Sequence, residues 1–204
     1  MDSIDPRRAR ADLRHLEAVL ERASQELDPH AFHYVRWGWI VLVWFPLANV
    51  FVLLGHPRWQ IPLGVLALLL GAALTVQGER RVGRRPRVAN EDRSLTRRIV
   101  LAVYGNVAAG SLLSALAPSL GLIAGEDVPI LWGLVYANIA FVSGLLYRSD
   151  FLRAALFIFA GVALAIVFRT YAGIVLGPFM GLGMIVPGRR AERVLRAALE
   201  GSAA

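Results

Sequence analysis

Residues 37–54 read WGWIVLVWFPLANVFVLL, eighteen residues without one charged side chain. A helix rises about 1.5 Å per residue, so this stretch covers about 27 Å, near the thickness of a bilayer's hydrocarbon layer. Five more runs of the same kind follow it: Trp59–Val76, Ile99–Leu116, Ile130–Tyr147, Ala154–Phe168 and Tyr171–Pro187. None of the six contains Asp, Glu, His, Lys or Arg. Isolated strands cannot satisfy their backbone in lipid, and the ten-residue alternation of an outer-membrane barrel is missing. The expected fold is all-α, a polytopic membrane protein built as a six-transmembrane-helix bundle.

Composition points the same way. Apolar residues make up 56% of the 204-residue chain and charged residues 18%, against roughly 25% charged in soluble domains. That excess argues against disorder and is too large for one ordinary soluble core. The chain has no Cys, which excludes disulfide frameworks, thiolate zinc sites and cysteine nucleophiles. It has no Lys either, so all 22 basic residues are Arg and lysine chemistry is excluded.

Arginine sets the expected orientation. With the N-terminus inside, segments 1–36, 77–98, 148–153 and 188–204 hold 20 Arg, and the outer segments hold only Arg58 and Arg169. Over loops this short, such a split follows the positive-inside rule. Tyr34, Trp37, Trp39 and Tyr147 fall at the inner boundary, and Trp59, Trp132 and Tyr171 at or near the outer one. Amphipathic rings prefer that headgroup level. Both termini are expected in the cytoplasm, with the chain in the cell's inner membrane. It divides into a leader (1–36), a membrane domain (37–187) with a basic inner loop (77–98), and a basic tail (188–204).

The last pair of runs is short. Only 34 residues lie between Arg153 and Gly188, where two spans and a turn want roughly 40. Two full spans are expected over a re-entrant hairpin, because no polar cluster marks the tip and Arg153 and Arg169 can snorkel.

Outside the membrane, Leu13, Leu16, Leu20, Ala23 and Leu27 recur at spacings of 3, 4, 3 and 4, a heptad seam. Residues 1–30 carry seven acids against five Arg, the wrong balance for gripping anionic lipid. This seam is therefore expected to dock on protein: a cytoplasmic partner, a second copy, or the chain's own inner face. The inner loop holds Arg80, Arg81, Arg84, Arg85 and Arg87, which could contact anionic headgroups of membrane lipids. No aromatic residue interleaves with them to stack on bases, so nucleic acid is not expected as a partner. The tail from Arg189 to Leu199 reads as a short basic amphipathic helix.

Candidate chemistry is sparse. Glu26, His30 and His33 have helical spacing for a metal, but Pro29 interrupts them and solvated histidines are the better reading. No metal or cofactor is expected. Within the runs, Asn49 stands three residues after Pro46, and Tyr104-Gly-Asn106 is echoed by Tyr136-Ala-Asn138. These polar residues either hold helices together or line a site for a neutral ligand. Gly173, Gly177 and Gly181 make two successive G-x-x-x-G steps, which allow close helix approach despite Pro178. Intramembrane charges and hydrolase or nucleotide motifs are absent, so no enzyme is expected. The sequence reading is a non-catalytic membrane anchor, accessory subunit or regulator. The alternative is a small channel or carrier for a neutral or apolar solute.

Overall fold

The computed structural model describes residues 31–84, 93–146 and 148–201. Six α-helices account for most of them: α1 (Phe32–Leu53), α2 (Gln60–Arg84), α3 (Arg93–Ser119), α4 (Val128–Leu146), α5 (Ser149–Val167) and α6 (Ala172–Gly201). Single 3₁₀ turns, Pro57–Trp59, Gly125–Asp127 and Arg169–Tyr171, lead directly into α2, α4 and α6. Among the described residues there is no strand. The leucine seam (Leu13, Leu16, Leu20, Ala23, Leu27) and the loop residues Arg85 and Arg87 lie outside the described residues.

Two helix ends are closed by the same device. After α1, Gly55 has φ of 76°, and after α3, Gly121 has φ of 72°. Only glycine enters this left-handed region without a steric cost. The Gly55 and His56 amides then reach back to the Val52 and Phe51 carbonyls at 2.9 and 2.8 Å. Gly121 and Leu122 do the same to Pro118 and Ala117 at 3.0 and 2.9 Å. Each is a Schellman closure, which satisfies carbonyls that the helix end leaves without donors.

Among the described residues, five helical segments are long and apolar enough to cross a membrane: Phe32–Leu53, Pro57–Arg81, Gly125–Leu145, Ser149–Val167 and Arg169–Ala197. The last two form the short final pair. α5 is an unbroken helix of 19 residues and α6 one of 30. The tail corrects the sequence reading: it is no separate short helix, because α6 runs on through Pro178 and Pro187 to Gly201. A proline inside a helix removes one backbone hydrogen bond; here the flanking glycines are buried against α1, which holds the helix on course.

Within the bundle, α6 is the central rod, packed along α1 and against α5 and α4. α2 rests mainly on α1, and α3 on α4. Phe151, Ile158, Leu176 and Met180 fill the middle and are fully buried. Outward, the surface is apolar: Leu156 is 71% exposed, Val167 73% and Leu66 62%. A soluble monomer rarely exposes apolar surface on that scale. The bundle is thus compatible with several membrane crossings.

Small residues decide how closely the helices approach. Gly38 of α1 and Gly181 of α6 face each other, and a Cβ on either would come within 2.9 Å of the other's carbonyl oxygen. In α2, Gly64, Gly71 and Gly78 recur every seven residues and receive the rings of Trp44, Trp37 and Phe32. Gly144 lies against Leu152, which lets α4 and α5 meet across a connection of only two residues.

Candidate functional site

Ser111 and Ser114 donate to carbonyls of their own helix, Val107 and Gly110, whereas the asparagines work between helices. Asn49, near the end of α1, donates from Nδ2 to the Thr170 carbonyl at 3.0 Å and accepts from the Ile174 amide at 3.1 Å. Ile174 is the third residue of α6, and its N–H has no partner inside that helix. Asn49 thus does for α6, from another helix, what an N-cap side chain does locally. Pro46 lies one turn earlier, against Gly177. With no N–H, Pro46 leaves the Leu42 carbonyl without its helical donor, and α6 crosses there at Gly177.

Asn138 of α4 donates from Nδ2 to Oδ1 of Asn106 in α3 at 2.6 Å. In the antiparallel α3–α4 pair the echoed asparagines lie opposite each other. Tyr136 does not join them: it is buried within the apolar core, beside Trp132. Tyr104 lies in α3, and its side chain is outside the described part. Among the described side chains of the predicted polar set, Asn49, Asn106, Tyr136 and Asn138 are therefore not gathered around one point. Two further bonds escaped the sequence reading as cross-links. Tyr34 Oη and Ser143 Oγ are 3.0 Å apart, both residues buried, and Trp37 Nε1 donates to Thr75 Oγ1 at 3.3 Å.

Glycines of the predicted G-x-x-x-G face lie on α1. Gly173 meets Asn49 and the Phe45 carbonyl, Gly177 meets Pro46, and Gly181 meets Leu42 and the Gly38 carbonyl. Gly188 continues the face against Tyr34 and Val35.

One end of the bundle is rich in arginine. There Asp150, in the first turn of α5, gathers Arg148 at 3.2 Å, Arg190 of α6 at 3.0 Å and Arg153 at 3.9 Å. An acid in the first turn also suits the helix dipole. Arg189 lies over the Trp39 ring at 5.7 Å, and Arg36 lies over Phe32 and donates to the Leu74 carbonyl. His33 Nε2 and Glu79 Oε1 are 2.7 Å apart, joining α1 to α2. Beside them, Ala72, Ala73, Val76, Gln77, Arg80 and Arg81 line an open groove of about 570 Å³. It grades from apolar to cationic along α2. Arg84 ends that helix, with its side chain outside the described part. Among the described residues no three His, Cys, Asp or Glu side chains form a metal-binding group.

The opposite end has its own clasp. Arg169 Nε donates to Asp127 Oδ1 at 2.5 Å, its terminal nitrogen engages Oδ2, and Glu126 Oε1 lies 3.4 Å from Nε. This fork ties the turn before α4 to the turn before α6. Bidentate geometry of this kind fixes orientation as well as charge. Nothing in the local sequence announced the pairing, because the partners are 42 residues apart.

No family model, no curated protein and no solved structure matches the chain. The reading of its function rests on its own residues.

Proposed function

We propose that the chain is a six-span inner-membrane protein with both termini in the cytoplasm. It acts without catalysis as an anchor, accessory subunit or regulator that engages a cytoplasmic protein. One observation carries this reading: the intramembrane amides bond helix to helix at separate places, with Asn49 at the head of α6 and Asn138 on Asn106. A carrier for a neutral solute needs polar groups convergent on one cavity. Support for the orientation comes from arginine. Among the described residues, Arg58 and Arg169 stand at one end of the bundle, and the other arginines belong to helix segments at the opposite end. α3 counts as the sixth span, since its 27 residues reach about 40 Å.

Reporter fusions check the topology. Those placed after residue 90 and after residue 204 are expected to report cytoplasm, and one after Glu126 the outside. Any single reversal defeats this map.

Partner engagement is assigned to the leader. Exposed leucines at 16 and 20 would each forgo roughly 1.5–3 kcal/mol, so a protein surface is expected to cover them. Leu16→Asp with Leu20→Asp should leave membrane insertion intact, because insertion depends on the apolar runs and their flanking arginines. The double change is expected to abolish recovery of the partner in a pull-down from native membranes. Unchanged recovery would mean that the seam packs on the protein's own inner face, and the docking role would be lost.

A further inference from the structure

We propose that α4 carries a dimerisation seam, on which a second copy of this chain docks in parallel through Asn138. The seam goes beyond the anchor reading and rests only on α4 being a span. Leu134, Asn138, Phe141 and Leu145 follow one another at spacings of 4, 3 and 4 along one flank of the helix. All four are exposed, Leu134 and Phe141 at 44% and Leu145 at 63%. The buried faces of α4, which include Gly133, Tyr136, Ala137, Ala140 and Ser143, are turned elsewhere.

Three apolar residues on such a flank would be ordinary lipid-facing surface. Asn138 is what lipid cannot cover. It is the eleventh of the 19 residues of α4, near the middle of the hydrocarbon layer. Its one side-chain hydrogen bond among the described residues is the Nδ2 donation to Asn106. The second N–H and the carbonyl oxygen have no partner among the described residues, and hydrocarbon offers neither donor nor acceptor.

The occupant must therefore present both a donor and an acceptor at one depth. A second copy does so by symmetry. Two parallel chains related by a two-fold axis along the membrane normal bring Asn138 opposite Asn138, and each amide can donate to the other's oxygen. Apolar residues at heptad spacing with a single asparagine among them also fix register between parallel helices.

The absence of cysteine gives a clean test. Phe141→Cys and Leu134→Cys, oxidised in native membranes, are expected to give a covalent species of twice the chain mass. Leu156→Cys, on the 71% exposed flank of α5, should remain monomeric. Equal cross-linking at all three positions, or a product of any other mass, overturns the proposal. Asn138→Ala should weaken self-association in lipid-dilution energy transfer by about tenfold, since a typical interhelical bond contributes about a factor of three and the symmetric pair contributes two. Asn106→Ala breaks the same bond within the chain but leaves Asn138 in place, so the dimer should survive it. If both substitutions weaken the dimer equally, the asparagines serve only the α3–α4 contact and the seam is refuted. The Leu16→Asp/Leu20→Asp chain should dimerise normally. Loss there, with retention in Asn138→Ala, would place self-association on the leader instead.

Discussion

Gly177→Leu is expected to lower the detergent thermal midpoint by about 10 °C, the largest effect of any single change considered for this bundle. A Cβ at Gly177 would already come within 2.6 Å of the Pro46 ring, and a leucine adds three more carbons. Overpacking of this kind costs about 1–3 kcal/mol where neighbours can yield, and about 2–4 °C accompanies each kcal/mol in a chain this size. Here the neighbours cannot yield. Pro46 is a rigid ring within α1, and one turn away on either side Gly173 and Gly181 pin the same two helices at backbone distance. Relief requires α1 and α6 to separate along their whole contact. Gly105→Ala is the control, since a Cβ there meets nothing within 4 Å, and its midpoint should hold or rise slightly. An unchanged midpoint in Gly177→Leu would mean that the α1–α6 seam is not the principal joint.

Asn49→Ala is expected to destabilise the bundle by about 2 kcal/mol, combining the loss of a cap with an amide left wanting a partner. The substitution removes both the donor to Thr170 and the acceptor for Ile174. Hydrogen exchange gives the sharper reading: the Ile174 amide should exchange faster by about tenfold or more, since 1.4 kcal/mol already corresponds to a factor of ten. Asn49→Asp keeps an acceptor for that amide and places its charge at a helix N-terminus, where the dipole favours an anion. It should recover most of the Ile174 protection. If protection is the same in Asn49→Ala as in the unaltered chain, the start of α6 is capped by solvent and Asn49 is incidental.

How far the sequence could be read follows from what each signal measures. Hydropathy measures the part of a helix that faces lipid, so it marks the run at 37–54 and not the start of α1 at Phe32, to which only the Asp28-Pro29 stop just upstream points. The five residues before Trp37 include His33 and Arg36, which pair with α2 rather than with hydrocarbon. α2 likewise continues past Val76 to Arg84, and α6 past Pro187, because backbone hydrogen bonding does not end where lipid does. The glycine triad was legible as a close-approach surface, but its partner was not. No local pattern points from Gly177 to Pro46. Asn49 was conspicuous as an amide among apolar residues, yet its partners stand 121 and 125 positions further on. The Tyr-x-Asn echo divides in the structure: its asparagines meet, and its second tyrosine serves the core.

The length of α6 has a mechanical consequence. Thirty residues of unbroken helix make a rod of about 45 Å, some 15 Å more than the hydrocarbon layer needs. The charged part of that length lies at the arginine-rich end, where Arg189 against Trp39 and Arg190 against Asp150 hold it to α1 and α5. No loop interrupts the path from Arg196 to the glycine face at Gly181 and Gly173. Torque applied to the projecting end is delivered to the α1–α6 joint, as a lever delivers it to a fulcrum.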